Sequence, residues 1–85
     1  MEPKVHLLKI WPKFYEPLIT GHKWFEIRKN DRLFLVGDIL NLQEWNPSTG
    51  EGYTGRACLR RVTYVSPGGQ FGLADDYVVM SLQVV

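Results

Sequence analysis

The chain is poor in the residues that build covalent and metal frameworks. It has one cysteine, Cys58, and two histidines, His6 and His22, in 85 residues. A lone thiol excludes a disulfide within the chain. One thiol and two distant histidines also lack the paired, closely spaced ligands of structural zinc, so no metal and no cofactor is expected. Net charge is nearly absent too: ten Lys and Arg against nine Asp and Glu leave +1. Bulk charge therefore does not mark a nucleic-acid binder. No run approaches the roughly 20 apolar residues of a membrane span, and Met1 to Lys4 opens nothing like a signal peptide. These absences predict a cytoplasmic protein of a reducing compartment, with no membrane partner. The length predicts one domain, residues 1–85, built round one core.

What is present is a globular balance of residues. Hydrophobic residues make up 45% and charged residues 22% of the chain, close to globular averages, which excludes disorder. Aromatics reach 13%, with Trp11, Trp24 and Trp45 in the first half. Large rings fill a small core efficiently and also make platforms for planar ligands.

Along the chain, Val5 to Ile10 (VHLLKI) reads as a strand stopped by Pro12. In PKFYEPLITG, Phe14, Leu18 and Ile19 recur at helical spacing, Pro17 limits the helix, and Gly21 suits its terminus. From Lys23 the period changes to two. Phe25 and Ile27 take one side, predicted buried, while Trp24, Glu26 and Arg28 take the other. Asn30 and Asp31 supply a turn, with Asp31 expected to fix it, and Phe34 to Val36 continues extended. Ile39 to Trp45, Tyr53 to Val65 (bending at Gly55) and Tyr77 to Val84 complete the strands, and NPSTGEG and SPGGQFGLADD are loops. Many short strands separated by turns point to a small barrel, with an open α+β sheet as the other layout.

One stretch gathers ions of both signs. GHKWFEIRKNDR, residues 21–32, holds Lys23, Glu26, Arg28, Lys29, Asp31 and Arg32. Glu26 and Arg28, two apart on a strand, share a face with Trp24, which combines an acceptor, a forked donor and a ring. Such a face can orient a heterocycle or a phosphate, and it can equally be a solvated strand surface, where an ion pair is worth about 0 to 1 kcal/mol. Three further arginines, Arg56, Arg60 and Arg61, would make a basic face if their segment lay alongside.

The string G-x-K-x-x-E-x-R, present as Gly21, Lys23, Glu26 and Arg28, resembles the signature of ASCH domains, relatives of the PUA-like RNA-binding barrels. The ordered set HLLKIWPKFYEPLITGHKWFEIRKNDR, FLVGDILNLQEW, YTGR and YVVMSL is similar to the DUF3850-type small proteins of bacteria and phages, over residues 6–82. The resemblance implies a mainly β (α+β) fold, a PUA-like small β-barrel of five to six strands with one short helix after the first strand. It also implies a cleft floored by the motif strand that binds single-stranded RNA or a nucleotide-like small molecule. Gly21, Lys23, Trp24, Glu26 and Arg28 are its expected ligand residues, with Arg56 as a further phosphate contact and Trp24 or Tyr53 as a stacking ring.

Some ASCH relatives are amidohydrolases acting on an acylated cytidine through the motif lysine, a threonine and a later glutamate. Here Lys23 matches the lysine, Glu26 stands at the threonine position, and only Asp75 and Asp76 are acidic in the later segment. A carboxylate cannot replace the hydroxyl in an acyl-enzyme route, though it could act as a general base toward water. The expectation is a binding module. In the alternative amidohydrolase reading, Lys23 and Glu26 are the catalytic candidates. A phage or host interaction protein with a vestigial cleft is the third reading.

Overall fold

The computed structural model describes residues 2–50 and 52–85. Its elements run β1 (Val5–Ile10), α1 (Pro12–Ile19), β2 (Phe25–Lys29), β3 (Ile39–Asn46), β4 (Gly52–Pro67) and β5 (Tyr77–Val84). The strands form one sheet of order β1-β3-β4-β5-β2. β1 and β3 are parallel, joined by a connection that carries α1 and β2, and every other pairing is antiparallel. The result is mainly β, a curled half-barrel with one short helix after the first strand.

The curl originates in β4. Its 16 residues pair with β3 through the first part and with β5 through the second. A register shift between Val62 and Tyr64 bends it at the changeover, and a second between Gln43 and Trp45 bends β3. Bulges of this kind sharpen the local twist, which rolls a sheet toward closure. Alternating side chains line the inside: Leu8 and Ile10 of β1, Leu40 and Leu42 of β3, Val62 of β4, and Val78, Met80 and Leu82 of β5 are all buried. α1 caps this core with Tyr15 and Leu18. Phe14 and Ile19, expected on the packing stripe, are exposed. The inward stripe of α1 is therefore the i, i+3 pair Tyr15 and Leu18.

α1 begins on Pro12, whose missing N–H would be unpaired in the first turn anyway. Pro17 ends its regular bonding, and the Pro17 carbonyl instead accepts from both His22 N and Lys23 N at 2.9 Å. With Gly21 at φ +80°, a left-handed conformation that favours glycine, this turn carries the chain from the helix into β2.

The segment Phe34 to Val36 is a loop rather than a strand. Leu33 turns the chain at φ +48°, Asn30 Oδ1 accepts from Phe34 N, and Asp38 Oδ2 accepts from Leu35 N. These local bonds satisfy amides that a strand would have paired. Asn30, not Asp31, thus fixes the turn, and Asp31 only approaches Arg32 at the surface. Phe34 is buried, its ring edge-on to His6. His6 Nε2 lies 2.8 Å from Asp38 Oδ2, so both buried polar groups have partners. Among the described residues, no helix is long and apolar enough to cross a membrane.

Candidate functional site

The half-barrel leaves β1 and β2 as its two edges. Hydrogen-bond parity shows what they expose. Trp24 O accepts from Leu82 N, and Asn30 N donates to Asp76 O. Even-numbered residues of β2 therefore turn their main-chain groups to β5, and Phe25, Ile27 and Lys29 turn theirs to the open side. On β1, Lys4 O accepts from Ile39 N, so the even residues face β3 and Leu7 and Lys9 face the gap. Two arginines reach across it: Arg28 Nη2 donates to Lys9 O at 2.9 Å and Arg32 Nη1 to Leu7 O at 2.6 Å.

Beside this seam lies a cleft of about 560 Å³, lined by Lys9, Ile10, Trp11 and Phe14 on one side and by Lys23 and Phe25 to Arg28 on the other. Its volume falls in the range of small-molecule sites. Glu26 holds the floor, with its side chain 5% exposed. One carboxylate oxygen meets Lys23 Nζ at 2.5 Å and the other accepts from Arg28 Nε at 2.8 Å. A carboxylate this buried needs such partners, because desolvation without compensation is costly. Lys23 Nζ also lies 5.8 Å from the Phe14 ring and 5.5 Å from the Phe25 ring. The cleft has three cations, Lys9, Lys23 and Arg28, for one carboxylate.

This geometry reverses the expected faces of β2. Glu26 is 4% exposed, whereas Phe25 and Ile27 are 44% and 48% exposed. The polar side of the strand points in because a bound ion triplet satisfies it. The apolar side stays out because no layer covers this edge of the sheet.

The structure brings Lys23, Glu26 and Arg28 together and leaves the other candidates apart. Gly21 shapes the turn before β2, and Trp24 Nε1 donates to its carbonyl at 2.9 Å, with the Arg60 guanidinium 5.4 Å from the Trp24 ring. Neither residue lines the cleft. Arg56 belongs to a second cluster. Its Nε and Nη2 reach the two oxygens of Glu44 at 2.9 and 2.8 Å, and Nη2 also bonds Glu16 of α1. Thr54 Oγ1 donates to the same Glu44 at 2.6 Å. The bonds from Arg56 and then Thr54 outweigh burial and hold the Glu44 carboxyl below its usual range. Glu44, through its bond and then Glu16 through its own, raises the Arg56 guanidinium further above its ordinary value.

Sequence reasoning missed that cluster and the aromatic wall of the cleft. Its signal was Glu44 following Leu40 and Leu42 at period two on β3, an acid at an inward position that required a cation. Tyr53, a candidate stacking ring, instead stands by a smaller hollow of about 270 Å³ with Glu44 and Arg56. Tyr64 and Tyr77 are exposed as well. Cys58 is half-buried, and burial pushes its thiol up, away from the reactive thiolate. Among the described residues, no group of three or more His, Cys, Asp or Glu side chains is placed to hold a metal ion.

Comparison with known proteins addresses the whole strand-and-cleft unit. The chain is 34% identical over 80 residues to the "Uncharacterized 12.9 kDa protein in GpA 3'region" of Escherichia phage P2, covering 94% of this chain and 69% of that protein. A family model described as a domain of unknown function, DUF3850, matches residues 5–82, from the first residue of β1 into β5. The chain belongs to the DUF3850 family.

Proposed function

We propose that this chain is a binding module of the ASCH, PUA-like kind, taking single-stranded RNA or a nucleotide-like small molecule in the cleft between β1 and β2. The observation that carries the reading is the Lys23–Glu26–Arg28 row at the floor of an aromatic-walled cleft. Excess cationic charge suits phosphate, and aromatic walls suit a base.

Recognition fits the row better than hydrolysis does. Each Glu26 oxygen already accepts from a cation, Lys23 on one and Arg28 on the other, so the carboxylate serves in this arrangement to hold the two cations in place. The later acidic segment is also remote from Lys23: Asp76 Oδ2 lies 3.8 Å from Lys29 Nζ, at the far end of β2. A vestigial cleft would keep the Lys23–Glu26–Arg28 row for stability alone, so ligand binding is what separates the two readings.

Fluorescence anisotropy with a labelled single-stranded RNA oligonucleotide, titrated at rising salt, tests the proposal. Binding at low ionic strength that weakens as salt rises is expected, because released counterions drive phosphate contacts. No binding of RNA or of free nucleotides at low ionic strength would sink it.

A further inference from the structure

The cleft's wall and rim contain groups that the motif row does not use. Trp11 and Phe14 stand one helical turn apart at the start of α1, their rings 6.4 Å between centroids and only 23° from parallel. They are 47% and 45% exposed, and both line the cleft. Rings that large and that open do not serve the core, which α1 contacts through Tyr15 and Leu18. Lys13 Nζ lies 5.0 Å from the Phe14 ring and 5.8 Å from the Trp11 ring, so the shelf has a cation at its rim.

Across from the shelf runs the open edge of β2. By the parity established above, Phe25 and Ile27 turn main-chain N–H and C=O groups away from β5, toward the cleft that their residues line. No hydrogen bond within the described chain engages these four groups. They alternate donor and acceptor along a line, as the edge of a nucleobase does. The floor offers less to a base, since Glu26 is committed to Lys23 and Arg28.

We infer that the cleft takes a nucleoside monophosphate unit whose base stacks on Trp11 and Phe14 and hydrogen-bonds the free main-chain edge of Phe25 and Ile27, with its phosphate held at the rim by Lys13. This rests on the nucleotide-binding reading above and specifies the ligand's pose. The unit is either free or the terminal nucleotide of an RNA, which presents the same chemistry. Trp24, tied to Gly21 and covered by Arg60, has no part in the stack.

The test titrates the four nucleoside 5′-monophosphates, their nucleosides and a short RNA oligonucleotide into wild type, Trp11→Leu, Phe14→Leu and Trp24→Phe. Amide exchange at Phe25 and Ile27 is followed in the wild type. Loss of the shelf is expected to weaken binding on the order of tenfold for each ring, as base stacking does elsewhere. Nucleotides are expected to bind more tightly than nucleosides by a margin that shrinks with salt, and exchange at both amides to slow on binding. Tighter binding of the oligonucleotide than of any monophosphate identifies the RNA end as the source. Wild type that binds while Trp11→Leu and Phe14→Leu bind equally well overturns the inference and leaves the nucleotide reading standing. So does a loss confined to Trp24→Phe, or unchanged exchange at Phe25 and Ile27. Wild type that binds none of the probes overturns both. Should a shelf variant fail to fold, the wild-type exchange measurement still decides.

Discussion

The Arg28 guanidinium bonds Glu26 through Nε and the Lys9 carbonyl through Nη2, so one side chain ties the floor of the cleft to the opposite sheet edge. β1 and β2 share no main-chain pairing, so the bond from Arg28 to Lys9 and the one from Arg32 Nη1 to the Leu7 carbonyl bridge the seam. The protein's stability and its site are therefore coupled at Arg28.

Arg28→Lys keeps the charge and loses the fork. A lysine cannot donate in two fixed directions, so one of the two bonds is lost. Urea unfolding is expected to show a loss of about 1.5 to 3 kcal/mol, the range of hydrogen bonds to charged groups. An unchanged midpoint would mean that the Arg28 fork contributes nothing to stability.

Glu26→Ala removes the shared acceptor and leaves Lys23 and Arg28 facing each other across a partly buried site. Breaking a buried pair from one side costs about 3 to 5 kcal/mol, and the partial exposure of both cations lowers the expectation to about 2 to 3. Adding Lys23→Met to Glu26→Ala should restore part of this loss. A double-mutant cycle in equilibrium unfolding measures the coupling. Strict additivity would contradict the shared-acceptor arrangement.

Acid should destabilise the fold through Asp38 and Glu44. Burial pushes the Asp38 carboxyl up, but bonds from His6, Leu35 N and Lys4 N together outweigh it and set the carboxyl below its ordinary 3.8. Glu44 is held below its ordinary 4.5 by Arg56 and Thr54. A folded-state pKa below the unfolded value gives stability that is present above the unfolded value and is lost as pH falls through the folded one. The unfolding free energy should therefore be flat above about pH 5 and decline below about pH 4. Asp38→Asn should flatten part of that decline, which chemical unfolding across this range reads directly.

Two loops contain non-glycine residues in the left-handed region, Leu33 at φ +48° and Phe71 at φ +54°. Phe71 is 96% exposed, so its side chain has almost no packing to lose. Phe71→Gly should relieve about 1 to 2 kcal/mol of backbone strain, offset by about 0.4 to 1 kcal/mol of added unfolded-state entropy, and raise the melting temperature by about 2 to 5 °C. A lower melting temperature would contradict the strain at this position.

The first and last strands and the helix were legible because their signals are local. Val5–Ile10 is a short apolar run stopped by Pro12, Tyr77–Val84 is a second such run after an irregular loop, and the structure gives the same bounds. The facing of β2 was not legible. Period two places Glu26 and Arg28 on one side of the strand, but only the tertiary fold decides which side is inside. Here an ion-paired floor outweighs the rule that apolar residues go in. The partner of Arg56 lies 12 residues back at Glu44, a non-local pairing that spacing does not encode. Phe14 and Ile19 were read through helical spacing as packing residues with Leu18, whereas the cap on the core fell to Tyr15 and Leu18. Phe34 to Val36 is apolar enough for a strand, yet Asn30 and Asp38 capture its amides.

Amide chemical-shift mapping on ¹⁵N-labelled protein at low salt, titrated with single-stranded RNA and with nucleoside monophosphates, tests the central claim most directly. If the cleft between β1 and β2 is the binding site, shifts gather at Lys9, Trp11, Phe14, Lys23 and Phe25 to Arg28 and fade as salt is raised. Shifts confined to the Tyr53–Arg56 side, or no shifts with any of these ligands, would contradict it.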